Sequence, residues 1–225
     1  MAFNSVNTVQ DKVYLHHVIV SVYDKSGLEE LITGMLGNCP GVKFYSTGGT
    51  YDFIANLLSD RSGAHLVRMT DYTRQPEMKG GLVKTLDWKI YLGLLAEHGD
   101  AEHAQDLKKH SAVSFDMVIG NLYDFGKAAA AAQSFETARQ HIDIGGPSML
   151  RASAKNFLRV ASVCRPELYP FVLEKLQAGK GSLTLEQRAY LAGQTFRNQA
   201  AYDLAVADYF AAQDSTFIQN SYTLQ

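Results

Sequence analysis

Two segments of the chain combine glycine with residue types that hold anions. The first runs from Ser21 to Gly27 and includes Lys25 and Ser26, and the second runs from Ser46 to Thr50. Each segment lies between a predicted strand and a predicted helix, whose first backbone N–H groups are free to bind an anion. Taken singly, a helix cap and a tight turn are the simpler interpretations. Because the two segments follow neighbouring parallel strands, together they favour a phosphate site.

Other residues can transfer protons or hold a polar reaction centre. Among them are Lys84, Tyr123, Asp143 and Lys155. Each has a structural interpretation too. A lone lysine usually lies on the surface, a tyrosine can be a core aromatic with a satisfied hydroxyl, and an aspartate can order a helix entrance. Taken one at a time, these structural interpretations are the better ones.

The composition excludes several classes of function. The chain has 225 residues, 46% of them hydrophobic and 20% charged, with a net charge of -2 and a pI near 6.4. This balance is ordinary for a globular protein and gives no electrostatic footprint for nucleic acid or an anionic membrane. The first residues lack the pattern of a signal peptide, and no apolar run is long enough to span a bilayer. We therefore expect a cytoplasmic protein.

The cysteine content agrees with that compartment. Cys39 and Cys164 lie far apart in different local contexts. Without a repeated spacing or a histidine cluster, they predict neither a disulfide framework nor a zinc site. We expect each to be a small buried hydrophobic residue.

Short β-branched runs alternate with amphipathic stretches over most of the chain. The predicted strands are 17–22, 41–46, 65–69, 117–122 and 160–164. Leu28, Leu31, Ile32 and Met35 have helical spacing, as do Ile54 and Leu57. Strands that alternate with helices predict an α/β fold with a largely parallel sheet and helices on both of its faces.

The C-terminal part is predicted to be a helical extension of the same domain. Apolar residues at helical spacing run from Thr184 to Phe210, and the polar tail after Asp214 is expected to fray. The alanine-rich run 128–133 predicts a surface helix that continues through Phe135 and Ala138. Without repeats or a clear linker, residues 1–225 are interpreted as one domain with a core of about 12–212.

Five sequence blocks occur in an order that is typical of one enzyme family. They are SVYDKSG from Ser21, STGGT from Ser46, PEMKGGLVKTL from Pro76, GNLYDF from Gly120 and HIDIGGPSMLRASAKN from His141. In this order they resemble the inosine monophosphate cyclohydrolase family, usually met as the N-terminal domain of a bifunctional enzyme. The resemblance covers essentially the whole predicted core, and no formyltransferase domain is recognised after it.

This resemblance implies a methylglyoxal-synthase-like fold and a dehydrative ring closure in de novo purine synthesis. The carboxamide nitrogen of a formamidoimidazole-carboxamide ribotide attacks the formyl carbon and water leaves, without a metal ion or other cofactor. The enzyme must hold the reactive rotamer, stabilise an oxyanion and move protons. The resemblance also implies a homodimer, and a separate formyltransferase could supply the substrate.

The family's roles, carried over position by position, give two sets of residues. The nucleotide-binding positions match Ser21, Tyr23, Asp24, Lys25, Thr47, Gly48, Gly49, Thr50, Thr85, Asn121, Ile144 and Gly145. The catalytic positions match Lys155, Asp143, Tyr123 and Lys84. Lys155, the expected proton donor and acceptor, lies about 12 Å beyond Pro147 along a continuous helix. To share a site with Asp143 it needs a folded-back loop, an early helix end or a site between subunits.

The chain departs from the family around the phosphate segment. Leu82 replaces an arginine, Asp87 and Trp88 replace a His-Pro pair, and Asp124 replaces a proline. Loss of a charge-assisted contact costs about 1.5–3 kcal/mol, or about 10- to 150-fold in binding, if nothing compensates. The candidates for the missing charge are Arg74, Lys79 and Lys89.

Three other functions fit parts of the pattern. A regulatory domain of the same fold, like that of carbamoyl phosphate synthetases, has no reason to keep Asp143, Tyr123 and Lys155 together. A methylglyoxal-synthase-type lyase needs a carboxylate base and a histidine near a small phosphate pocket. A non-catalytic assembly subunit is favoured only by the altered phosphate segment. A divergent, active cyclohydrolase is the preferred interpretation.

Overall fold

A five-stranded parallel sheet forms the centre of the protein. In a computed structural model, which describes residues 5–75 and 85–223, the strands are β1 (Val13–Tyr14), β2 (His17–Val22), β3 (Lys43–Ser46), β4 (Leu66–Arg68), β5 (Met117–Asn121), β6 (Ala161–Val163) and β7 (Ser182–Leu183). The parallel sheet has the order β4-β3-β2-β5-β6, and β1 pairs with β7 as a separate antiparallel ribbon. The predicted α/β fold and its five core strands are confirmed.

The helices surround this sheet. They are α1 (Leu28–Asn38), α2 (Gly48–Leu58), α3 (Ser62–His65), α4 (Met69–Thr73), α5 (Trp88–Leu95), α6 (Ala101–Lys109), α7 (Phe125–Ala131), α8 (Phe135–Arg139), α9 (Gly145–Lys155), α10 (Tyr169–Ala178), α11 (Leu185–Ala212) and α12 (Ser215–Gln219). Helices α5, α9 and α11 pack together, and α1 packs on α10. None of the helices in the described ranges is both long and apolar enough to cross a membrane.

Both faces of the central strand are covered. Val18, Ile19 and Val20 are successive residues of β2, and each has no exposed surface. Because successive side chains of a strand point to opposite faces, this burial requires packing on both sides of the sheet. Full burial of such a side chain contributes about 1.5–3 kcal/mol. The two cysteines, Cys39 and Cys164, are buried as predicted.

The strand order creates a crevice at one edge of the sheet. The chain leaves β2 for β3 on one side and later returns to β5 on the other side. Right-handed crossovers in opposite directions place their helices on opposite faces. The loops after β2 and β5 therefore diverge at the carboxyl edge, which is where open α/β sheets bind ligands.

The long helix α11 near the C-terminus packs against the rest of the domain. Helix α11 packs against α9 and β6, and its Thr184 and Gln187 form a reciprocal capping box. This agrees with the predicted helix from Thr184 to Phe210. Its Arg188 has no exposed surface.

The guanidinium of Arg188 donates five hydrogen bonds to backbone carbonyls. The acceptors are the carbonyl oxygens of Phe157, Asp11, Leu183, Gln10 and Leu158, at 2.6–3.0 Å. An arginine has five N–H donors, so all of them are used. The side chain joins the N-terminal segment, the loop after α9, and β7.

Two of the predictions for less regular segments are wrong. The alanine-rich helix does not continue through Phe135, because α7 ends before Ala132 and Ser134 caps a new helix, α8. Phe135 is buried and stacks on Tyr209, so packing, rather than alanine propensity, sets the boundary. The tail after Asp214 is not frayed in the described residues, since Asp214 caps α12.

Candidate active site

The loop after β2 is held in shape by the end of β5. Asn121 Oδ1 accepts hydrogen bonds from the N–H groups of Tyr23 (2.7 Å) and Asp24 (2.9 Å), and its Nδ2 donates to the Asp24 carbonyl (2.7 Å). A side-chain amide that makes these bonds fixes the loop before any ligand arrives. Asn121, predicted to bind substrate, therefore has a positioning contact here.

Within this loop the Asp24 carboxylate accepts two hydrogen bonds from Ser26, whereas the Lys25 ammonium makes one long contact with a backbone carbonyl. Asp24 Oδ1 accepts from the N–H (2.9 Å) and the hydroxyl (2.6 Å) of Ser26, which holds the pKa of Asp24 below its usual range. The Ser26 hydroxyl is thus committed to a carboxylate. Lys25 is half-buried, and its ammonium lies 3.5 Å from the Tyr23 carbonyl. Its positive charge is available to an anion at this edge.

The second predicted loop leads directly into α2. Thr47 precedes the helix, but its side chain does not accept a hydrogen bond from the first N–H groups of α2. Thr50 Oγ1 donates to the Val22 carbonyl (2.9 Å) and accepts from the Val22 N–H (3.2 Å). This contact locks the start of α2 to the end of β2. The two predicted anion-binding loops are therefore neighbours.

An exposed aromatic pair lies beside these loops. The rings of Tyr23 and Tyr123 are 4.6 Å apart, and 59% and 46% of their surfaces are exposed. Exposed aromatic faces stack on planar heterocycles, and such stacking contributes about 1–3 kcal/mol per nucleobase. The pair therefore offers exposed aromatic surface next to the two loops.

A glycine pair brings Asp143 against the end of β5. A Cβ atom on Gly146 would overlap Asp143 Oδ2 and lie 2.8 Å from Leu122 Cδ2, and one on Gly145 would lie 2.5 Å from Thr85 Oγ1. A larger residue at either position would require these side chains to shift. Asp143 Oδ1 accepts from the Gly146 N–H at 3.0 Å. Asp143 and Thr85 thus both lie at the start of α9, next to the segment that contains Tyr123.

Burial changes the acidity of Asp143. Desolvation raises the pKa of its carboxyl, and hydrogen bonds from the Gly146 and Gly145 N–H groups oppose this effect only in part. A carboxyl with a raised pKa in a crevice is a candidate for proton transfer. The N-terminus of α9 adds a partial positive charge beside it.

Lys155 lies at the other end of the same helix. Helix α9 is continuous from Gly145 to Lys155, and Lys155 is exposed. Ten residues of helix span about 15 Å. Within one chain, the structure does not bring Lys155 and Asp143 together, and neither an early helix end nor a folded-back loop changes this.

The remaining predicted residues differ in where they lie and in what they contact. Ile144 is exposed before α9, Ser21 lies near the end of β2, and Gly49 belongs to the first turn of α2. Lys84, Leu82 and Lys79 lie outside the described residues. Of the candidates for the missing charge, Lys89 donates to the Tyr72 carbonyl at 2.9 Å, and Arg74 is exposed just after α4.

Tyr202 is a site residue that the sequence analysis did not find. Its hydroxyl accepts a hydrogen bond from the Asp143 N–H at 2.7 Å, across 59 residues of chain. Tyr202 belongs to the buried residues of α11, and its ring lies 6.4 Å from that of Phe125 in α7. Its helical spacing marks it as buried, but no local pattern names Asp143 as its partner.

Removing this hydroxyl tests its positioning role. Tyr202→Phe leaves the buried Asp143 N–H without an acceptor, so we expect the free energy of unfolding to fall by about 1–3 kcal/mol. Amide hydrogen exchange of residues 141–146 should accelerate. The matched control is Tyr209→Phe on the same helix, where we expect a change within about 0.5 kcal/mol. Equal effects in both variants would contradict the role.

One further polar cluster and one cavity lie elsewhere. Glu97, Asp100 and His103 have ligand atoms within 4.8 Å of one another. Asp100 caps α6, and His103 Nδ1 accepts from the Glu97 N–H at 3.2 Å, so the cluster is part of a helix start. A cavity of about 550 Å³ is lined by residues 5–10 and 97–100, and none of the loops described above lines it.

Comparisons with known proteins match most of the chain. Residues 35–148 match the family described as "MGS-like domain", and residues 153–225 match "AICARFT/IMPCHase bienzyme". The crystal structure of ForH is similar, with a TM-score of 0.70 and 31% identity over 87% of this chain and 99% of that chain.

Curated relatives extend the match. The bifunctional purine biosynthesis protein PurH of Rhizobium rhizogenes is 39% identical over 201 residues, covering 89% of this chain and 36% of the relative. PurH of Cutibacterium acnes is 36% identical over 204 residues, covering 91% of this chain and 38% of the relative. The chain thus spans a little over a third of the length of these relatives.

Proposed function

Since the chain belongs to the MGS-like domain family and its C-terminal third to the AICARFT/IMPCHase bienzyme family, we propose that it is an inosine monophosphate cyclohydrolase. It closes the pyrimidine ring of the formamidoimidazole-carboxamide ribotide in de novo purine synthesis. The observation that carries this proposal is the placement of Asp143, held by Gly146 and Tyr202, beside the segment of Tyr123.

The geometry supports one orientation of the nucleotide. The phosphate lies at the ends of β2 and β3, where Lys25 and the N-terminus of α2 attract it. The base stacks on Tyr23 and Tyr123. The two reacting substituents of the imidazole then face Asp143 at the start of α9.

In this orientation the chain's own residues can manage the protons. The carboxamide nitrogen bonds to the formyl carbon, and the formyl C=O electron pair moves to its oxygen. The Asp143 carboxylate accepts the proton that the nitrogen gives up. The partial positive charge at the start of α9 stabilises the oxyanion. Two protons are delivered to that oxygen, with Lys155 and Lys84 as the proposed donors. The C–O bond then breaks and water leaves, while the formamido nitrogen loses its proton and forms the C=N bond of the new ring. The two protons given up by the two nitrogens restore the donors.

Lys155 can serve this site only from a second copy of the chain. We therefore propose a homodimer in which Lys155 of one protomer reaches the Asp143 end of α9 in its partner. The formylated ribotide comes from a formyltransferase, and we place the reaction in the cytoplasm. No metal ion or other cofactor takes part.

A mixing experiment tests the shared site. Lys155→Ala alone should lose about 10²–10⁴-fold in kcat, as for loss of a general acid or base. When Lys155→Ala and Asp143→Asn chains are unfolded, mixed equally and refolded, half of the dimers are mixed and each has one intact site. Activity should return to about a quarter of the wild-type value.

The control variant for this experiment is Lys109→Ala. Lys109 is also an exposed last residue of a helix, α6, and its loss should leave kcat unchanged. No recovery on mixing would place Lys155 outside the partner's site. Near-normal kcat in Lys155→Ala alone would remove it from the mechanism.

The proposed function itself is tested by conversion of the formylated ribotide to inosine monophosphate. The purified chain should produce a time-dependent change in absorbance. Binding of inosine monophosphate without any turnover would favour a regulatory domain of the same fold instead.

A further inference from the structure

Arg68 stands at the edge of the proposed nucleotide site. It is the last residue of β4, and the parallel register places it beside Ser46 of β3. Thr47 and Gly48 follow Ser46 directly and begin α2. The backbone therefore brings an arginine to the same carboxyl edge as the second loop, on the side away from β2.

The guanidinium of Arg68 is oriented but not neutralised. Its central carbon lies 3.8 Å from the centre of the Tyr51 ring, and Tyr51 belongs to the first turn of α2. Stacking on an aromatic face leaves the N–H groups at the rim of the guanidinium free to bind an anion. Among residues 5–75 and 85–223, no acidic side chain forms an ion pair with Arg68.

Other arginines show what pairing looks like in this protein. Arg139 is bound by Glu136 at 2.6 Å and Arg159 by Asp116 at 2.5 Å. Arg68 instead has an aromatic support and an exposed fork next to a helix N-terminus. This is the arrangement that a planar, bidentate phosphate ligand requires.

We propose that Arg68 binds the phosphate group of the nucleotide as a bidentate ligand, opposite Lys25 and next to the start of α2. The charges balance, because one guanidinium and one ammonium meet a phosphomonoester dianion. Tyr51 is the positioning residue that fixes the guanidinium plane. The inference rests on the proposed function for the identity of the nucleotide, while the ligand class is any sugar phosphomonoester.

Arg68→Gln tests this assignment by calorimetry with three probes. Inosine monophosphate and ribose 5-phosphate carry the phosphate, and inosine does not. We expect the dissociation constants of both phosphates to rise about 10- to 100-fold, and the weak binding of inosine to stay unchanged. In kinetics, KM should rise more than kcat falls, because phosphate binding is shared by the ground state and the transition state.

The matched control is Arg61→Gln. Arg61 is also exposed, lies in the segment before β4 and carries the same charge. It should leave all three dissociation constants within twofold of wild type. Tyr51→Leu, which keeps Arg68 but removes its support, should weaken the two phosphates by a smaller factor than Arg68→Gln.

Several results overturn the inference. If Arg61→Gln weakens phosphate binding as much as Arg68→Gln does, the effect comes from net charge and not from a direct contact. If Arg68→Gln leaves phosphate binding unchanged, the contact is excluded. Wild-type protein that binds neither phosphate would also exclude it. If ribose 5-phosphate binding depends on Arg68 but no ring closure occurs, the inference stands and the proposed function fails.

Discussion

Asp143→Asn is expected to lower kcat for ring closure by about 10²–10⁴-fold, the usual cost of losing a general base. The asparagine keeps the shape and can still accept from the Gly146 N–H, so the loop geometry survives. What it lacks is the capacity to take a proton from the carboxamide nitrogen. KM should change little, because this interaction forms mainly in the transition state. A pure KM effect would place Asp143 among the ground-state binding residues.

The pH dependence of this variant has a defined sign. Burial raises the pKa of Asp143 in the folded state. The wild-type kcat should therefore fall, as pH is lowered, at a higher pH than an ordinary aspartate would give, and this acid limb should vanish in Asp143→Asn. The free energy of unfolding also depends on pH through the Asp143 carboxyl. A raised folded pKa contributes stability below the unfolded pKa, and this contribution is lost as pH rises through the folded pKa.

At neutral pH, Asp143→Asn should consequently be more stable than wild type, and the difference should shrink below the unfolded pKa of aspartate. Asp124→Asn is the control of opposite sign. Hydrogen bonds from Lys127 hold the pKa of Asp124 below its usual range, so its charge contributes stability above the unfolded pKa. Urea unfolding at pH 3 and pH 7 separates the two cases. A loss of stability in Asp143→Asn at pH 7 would contradict the argument.

Arg188→Met has the largest expected effect on stability. The methionine retains apolar volume but leaves five backbone carbonyls without their donor in a buried site. Leaving one buried acceptor unsatisfied costs about 1–3 kcal/mol, so the loss of all five hydrogen bonds is expected to cost at least about 3 kcal/mol. We expect the midpoint of urea unfolding to fall accordingly, with an unchanged slope.

Arg197→Met is the matched control for this change. Arg197 is an exposed arginine of the same helix, α11, and its replacement should alter the free energy of unfolding by less than about 0.5 kcal/mol. A loss below about 1 kcal/mol in Arg188→Met would mean that the desolvation of the guanidinium already offsets its hydrogen bonds.

Most of the sheet could be predicted because its signals are local. Val18, Ile19 and Val20 form a continuous apolar run, as a strand buried on both faces requires. The boundary between α7 and α8 could not be predicted in this way. It depends on Phe135 packing against Tyr209, a residue far along the chain, and that contact overrides the helix propensity of alanine.

In the candidate site, too, the features that depend on neighbouring residues could be predicted and those that depend on distant contacts could not. The two loops were predicted from glycine, serine and lysine types next to strand ends, which are sequence-adjacent features. Asn121 was predicted as a substrate ligand, but its amide is bonded to the backbone of the first loop, a contact that only the strand order creates. Tyr202 contacts Asp143 from α11, and the register of β4 places Arg68 beside Ser46, so the residues adjacent to them in sequence do not predict either position.

The hydrogen bonds by which Arg188 joins the N-terminal segment to α11 also affect the folding kinetics. Gln10 and Arg188 are 178 positions apart, and β1 pairs with β7 over a similar span. Contacts of such sequence separation form only after most of the loop entropy has been lost, and thus late in folding. We therefore expect their removal to leave the refolding rate nearly unchanged and to accelerate unfolding, as for contacts that are absent from the transition state. We therefore expect the lifetime of the native state, and its resistance to proteases that attack opened chains, to depend on the contact of the N-terminal segment with β7 and the start of α11.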